Sequence, residues 1–140
     1  MDNPHDLARF VDAQRDTFDQ ALAELNAGRK RSHWMWWVFP QLAGLGRSAT
    51  AQAYAIRSAD EARAYLAHPL LGARLYAAVA AAVAAPGSAE HVFGPVDALK
   101  LRSCLTLFAH VAPDPAPFRA GLDRFFGGAP DPATLHLLQG

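Results

Sequence analysis

Nine consecutive residues, His33-Trp34-Met35-Trp36-Trp37-Val38-Phe39-Pro40-Gln41, contain every tryptophan of the chain. Three cations, Arg29, Lys30 and Arg31, stand just before them, and Gly44-Leu45-Gly46 follows. These residue types suit recognition of a flat, negatively charged molecule. An arginine fork or a lysine ammonium holds phosphate or carboxylate, an indole face stacks on a ring, and a primary amide such as Gln41 reads a ligand edge. Packing is the competing explanation. Burying Trp34, Met35, Trp36, Trp37 and Phe39 would contribute roughly 10 kcal/mol gross, at about 2 kcal/mol each. The cations also have an ordinary use, since charge at a helix C-terminus offsets its dipole by a few tenths of a kcal/mol. The indoles tilt the balance towards a pocket, because each buried N–H demands an acceptor that a leucine would not.

His33, beside both cations and indoles, is the candidate general acid or base. Arg29, Lys30, Trp34, Trp36 and Gln41 are the expected ligand contacts, with Lys100 and Arg102 reaching in from across and Gln14 as a further one. Gln14 interrupts an apolar stripe, so its amide must find a partner or face a cavity. Lys100 and Arg102 lie in an otherwise apolar segment. Snorkelling explains such cations, whereas a buried one needs an anion, either Asp97 or a bound ligand.

Other chemistries find less support. His33, His68, His91 and His110 show no HxxxH or HExxH spacing and no cysteine to join them, so no metal is expected. GxGxxG, GxxxxGK[ST] and GxSxG are all missing, and no cofactor is expected. Gly44-Leu45-Gly46-Arg47-Ser48 is a faint version of a phosphate loop. Cys104, the single cysteine, sits in an apolar run and reads as a small buried side chain.

The bulk numbers bound the class. The chain has 140 residues, of which 51% are hydrophobic and 19% charged. A single domain over 1–140 is expected, folded without disulfide or metal. Thirteen basic and thirteen acidic residues give no net charge. That argues against a nucleic-acid or anionic-membrane binder, which would carry a basic excess. The N-terminus has no apolar signal-like run, and Ala77–Ala85 is too short to span a bilayer. A cytoplasmic protein is expected.

The elements that must position these residues are helical. Pro4 to Ala27 carries apolar residues at helical spacing, with Asn3 as cap, Pro4 in the first turn and Gly28 as stop. Pro40 limits any helix begun near Ser32 to about two turns. Ser48 caps a short helix, and Ser58-Ala59-Asp60-Glu61 fits a capping box. His68 before Pro69 caps a helix end. Leu70 to Ala85 is alanine-rich and admits close neighbours, and Ser88 to Phe93 is about one turn. Pro95 to Val111 is the clearest buried helix, with Val96, Leu99, Leu101, Leu105 and Phe108 giving apolar contacts on several faces. Phe118 to Phe126 is helical, and Asp131-Pro132 starts a final short helix carrying Leu135, Leu137 and Leu138. No stretch alternates as a strand would. The expected fold is all-α, a compact, irregular, orthogonal bundle of about six to eight helices, several of them short.

The sequence resembles the bacterial domain-of-unknown-function family 1810, whose members are sometimes mislabelled calpastatin. The residues that carry the resemblance begin with Asp6-Leu7-Ala8-Arg9-Phe10, Gln14, and Gly28-Arg29-Lys30 through His33-Trp34-Met35-Trp36 to Phe39-Pro40-Gln41. They continue with His68-Pro69, Lys100-Leu101-Arg102-Ser103, Phe125-Phe126-Gly127-Gly128 and Asp131-Pro132-Ala133-Thr134-Leu135. The resemblance implies a compact, mostly helical domain and supplies no reaction. The calpastatin label does not fit, because such an inhibitor is a long, disordered, repeat-bearing chain. The residues themselves point to a pocket around positions 29–41 that binds or processes a small anionic ligand, a nucleotide or an ADP-ribose-like molecule. The alternative is a non-catalytic interaction module or homo-oligomer. There the aromatic run is core, and the Leu70–Ala85 helix or the Leu135–Leu138 turn meets a partner.

Overall fold

The computed structural model describes residues 5–139. Its helices are α1 (Ala8–Arg15), α2 (Phe18–Asn26), α3 (Met35–Val38), α4 (Ala49–Ala53), α5 (Ala59–Ala67), α6 (Pro69–Ala84), α7 (Ala89–Phe93), α8 (Pro95–Val111), α9 (Ala116–Phe126) and α10 (Pro132–Gln139). Among the described residues no strand forms, and a parallel bridge joins Leu42 to Ile56. The protein is all-α, as its patterning predicts.

The helix expected over Pro4–Ala27 is two helices, and its proposed Asn3 cap and Pro4 start lie outside the described residues. The cause of the break is Thr17. Its hydroxyl donates back to the Ala13 carbonyl at 2.6 Å and accepts the Trp37 indole N–H at 2.8 Å. Threonine bonding to the preceding turn bends helices, and here a second partner fixes the bend.

Local signals hold better at the other helix starts. Ser48, Ser58 and Ser88 each accept an N–H three residues on. The His68 Nδ1 accepts the N–H groups of Leu70 and Leu71, both at 3.2 Å, and Pro69 opens α6. This cap sits at an elbow of 93° between α5 and α6. The capping box at Ser58 is only half formed. Glu61 does not reach back to its cap, but accepts the Arg57 N–H and a guanidinium N–H of Arg9, each at 3.0 Å.

Helix α8 runs through the centre, against α5, α7, α9 and α10. From Leu101 to Phe108 every side chain but Arg102 is buried. At its start the expectation fails: Val96 and Leu99 are 65% and 64% exposed. Alanine-rich α6 packs on α2, α5 and α9, burying Leu71, Leu75, Ala78, Val79 and Ala82. One apolar face of α6 is thus covered within the chain, while Leu70, Ala73, Ala77, Ala80 and Ala84 remain exposed on the other. Among the described residues no single helix is long and apolar enough to cross a membrane; the bent pair α5–α6 reaches that length and hydropathy only jointly, and α6 lines the core.

Arg9 ties the N-terminal helix to the α4–α5 connection. Its guanidinium donates to the carbonyls of His5, Asp6, Ala53 and Ala55 and to Glu61, at 2.7–3.0 Å. An ammonium cannot serve five acceptors spread over a plane. Arg9→Lys is expected to lower stability by about 2 kcal/mol, read as a fall in urea midpoint at unchanged slope.

Candidate functional site

The structure separates the residues that the sequence places side by side. In α3 and its flanks Trp34, Met35, Val38 and Phe39 are core, while Trp36 and Trp37 are half-buried. Two indole N–H groups are committed internally: Trp34 donates to Glu24 Oε1 at 3.0 Å and Trp37 to Thr17. Trp36 Nε1 has no acceptor among the described residues. Trp34, 1% exposed, is therefore a packing residue and not a pocket wall.

The basic segment does surround an anion, but the anion is the chain's own. Glu24, 4% exposed, accepts the backbone N–H groups of Arg31 (2.7 Å) and Ser32 (2.9 Å), the Trp34 indole, the Ser32 hydroxyl and the Gln20 amide. Burial pushes its pKa up. The bonds from the Ser32 hydroxyl, Arg31 N–H, Gln20 amide and Ser32 N–H outweigh this and hold it at about 2, against an ordinary 4.5. Glu24 thereby folds the segment that the sequence reading offers to a ligand. Arg29, Arg31 and His33 turn to solvent, and His33 does not line the cleft that Trp36 and Lys100 share. Lys30 is drawn inward to Asp97 at 2.8 Å, with its Nζ 5.2 Å from the Trp34 ring centre.

Gln14 finds partners, not a cavity. It donates to the Trp37 carbonyl at 2.7 Å and the Tyr65 hydroxyl at 3.0 Å, and accepts from Arg74 at 3.4 Å. Arg102 spans from α8 to the α9–α10 connection, donating to the carbonyls of Ala129 and Pro130. Gln14 is buried and fully engaged, and two of the Arg102 donor atoms are committed to backbone carbonyls. Cys104 is buried, and burial pushes its thiol pKa well up, so it is a packing residue.

What remains of the expected set, Trp36, Gln41 and Lys100, does converge. These three line one open cleft of about 450 Å³ between the 41–48 loop, the first half of α8 and the start of α10. Lys100 Nζ lies 4.2 Å from the Trp36 ring centre and 3.2 Å from Asp97, which it shares with Lys30. The exposed Val96 and Leu99 form an apolar wall, and Arg47, Ser103 and Asp131 add polar groups.

The loop is held so that Gln41 faces this space. Its backbone carbonyl accepts the Ile56 N–H at 2.9 Å, while its amide has no hydrogen bond to a described residue. Gly46 lets the loop close on α4: a Cβ there would stand 2.6 Å from that of Ala51. The Arg47 guanidinium is likewise without a protein acceptor among the described residues.

Sequence reasoning undervalued Arg47, seen only as part of a faint phosphate loop, and Asp131, seen only as a helix start. The signal available was Asp131-Pro132-Ala133-Thr134, an aspartate capping a proline-led helix and so held fixed by its own threonine. Among the described residues no group of three or more His, Cys, Asp or Glu could hold a metal.

The protein is all-helical, with an open surface cleft lined by Trp36, Arg47, Lys100 and Asp131 beside its central helix. The chain belongs to the family described as protein of unknown function (DUF1810), whose model matches residues 4–138. Among solved structures it is similar to the conserved hypothetical protein Rv1873 from Mycobacterium tuberculosis, with 48% identity, a TM-score of 0.96 and 99% of each chain covered. No curated protein matches the sequence.

Proposed function

We propose that the cleft of Trp36, Gln41, Arg47 and Lys100 binds a small anionic ligand of the nucleotide or ADP-ribose type. One observation carries this reading. Trp36, Gln41 and Arg47, whose side-chain polar groups have no hydrogen-bond partner among the described residues, line the same cleft as Lys100. Elsewhere in the aromatic run such groups are satisfied within the chain. The volume suits a small metabolite, for which pockets of about 300–1,000 Å³ are usual. Arg47 and Lys100 would take the anionic group, and Val96, Leu99 and Trp36 a planar ring. The same reading takes 1–140 as one domain and places it in the cytoplasm, where nucleotides abound and a free thiol such as Cys104 is normal.

Titration of the protein with AMP and ADP-ribose, followed by thermal shift and tryptophan fluorescence, tests the site. Binding is expected to weaken about tenfold in Arg47→Ala and in Trp36→Leu, and to fall with added salt. Arg29→Ala, outside the cleft, should leave it unchanged. No binding at millimolar concentrations, or binding indifferent to both cleft variants, would remove the proposal.

The exposed pair Val96 and Leu99 favours a second reading, in which this rim meets a second copy of the chain. Sedimentation decides it: a dimer split by Leu99→Asp supports it, and a strict monomer removes it.

A further inference from the structure

The two carboxylate oxygens of Asp131 have different surroundings. Oδ2 accepts the Thr134 hydroxyl at 2.6 Å, the Thr134 N–H at 3.0 Å and the Ser103 hydroxyl at 3.2 Å. Oδ1 accepts no hydrogen bond from a described residue. The group is also fixed from behind. The Asp131 N–H donates to Thr106 Oγ1 at 2.8 Å, and Arg102 holds the carbonyls of the two residues before it. Asp131 lines the cleft that Arg47 and Lys100 also line. A positioned acceptor therefore shares one cleft with two cations.

A ligand that was anionic throughout would satisfy the cations and be repelled by this carboxylate. A ligand with hydroxyl donors at one end and an anionic group at the other would satisfy both, since hydrogen bonds to an ionised acceptor are the strong ones. We infer that the cleft takes a nucleotide or other sugar phosphate oriented by charge, its phosphate at Arg47 and Lys100 and its sugar hydroxyls donating to Asp131. The inference rests on the ligand reading above and sharpens it from an anion to a dipolar one.

Calorimetry with AMP, 2′,3′-dideoxy-AMP and inorganic pyrophosphate tests it on the intact chain. The dideoxy nucleotide is expected to bind about tenfold more weakly than AMP, and pyrophosphate more weakly still. Asp131→Asn retains an oxygen for the α10 cap and turns an amide donor towards the ligand. It should weaken AMP about tenfold and leave the dideoxy form unchanged. Equal binding of AMP and its dideoxy form, with both lost in Arg47→Ala, would overturn the hydroxyl contact and keep the anion site. Equal weakening of both nucleotides by Asp131→Asn would reduce Asp131 to a helix cap. Absence of binding by any of the three compounds would overturn both proposals together.

Discussion

Glu24→Ala is expected to lower folding stability by about 4 kcal/mol, a large part of what a domain of this size possesses. The loss comes less from the carboxylate than from what it leaves behind. The Trp34 indole N–H and the backbone N–H groups of Arg31 and Ser32 point at Glu24 Oε1. Trp34 itself is 1% exposed, so water does not replace that acceptor without opening the core. Glu24→Gln preserves shape and one acceptor oxygen, but sets an amide donor against other donors, and about half of the loss is expected. The effect has a pH signature. The folded-state pKa of about 2 lies below the ordinary 4.5. The carboxylate therefore contributes its full stabilisation above about pH 4.5 and loses it as pH falls towards about 2. That contribution is roughly 3 kcal/mol at neutral pH. Urea unfolding at pH 7 and pH 3 checks it: the gap between the parent protein and Glu24→Gln should narrow at the lower pH. A gap of constant size would mean that the carboxylate charge is not what organises the segment.

The same residue explains what was legible in the sequence and what was not. Helix starts were readable wherever a single side chain caps its own backbone, as at Ser48, Ser88 and His68, because such bonds span three residues or fewer. The helix from Pro95 to Val111 was readable because apolar residues recur on several of its faces. The break at Thr17 was not, since it depends on an indole twenty residues away. The ligand site was half readable for the same reason. Trp36, Gln41 and Lys100 were found by chemical type. Trp34, Lys30 and Arg29 have the same types, and their exclusion depends on Glu24 and Asp97, whose partners are set by the tertiary fold. An aromatic and basic cluster identifies groups able to bind an anion. It does not reveal that another part of the chain supplies the anion first.

Gly72→Ala should cost about 3 kcal/mol, and Gly121→Ala within about 1 kcal/mol of nothing, though both add one methyl to a helix. In a helix interior the change from glycine to alanine is intrinsically favourable by about 1 kcal/mol, so each site begins with the same gain. What differs is the obstacle. A Cβ on Gly72 would overlap the backbone carbonyl oxygen of Leu66 and come 3.1 Å from its carbonyl carbon. That carbonyl belongs to α5, on the other arm of the 93° elbow capped by His68. Backbone yields only if the helices move apart, and Tyr65 and Leu71 on either side of the elbow are fully buried. A Cβ on Gly121 would meet Leu105 Cδ1 at 2.9 Å and Cδ2 at 3.1 Å, the free end of a side chain that rotates by a fraction of an ångström. Thermal unfolding of the two variants in parallel separates backbone contact from side-chain contact at constant added volume. Equal destabilisation would show that the α5–α6 elbow opens as readily as a leucine turns, and that its angle is not fixed by the missing side chain at Gly72.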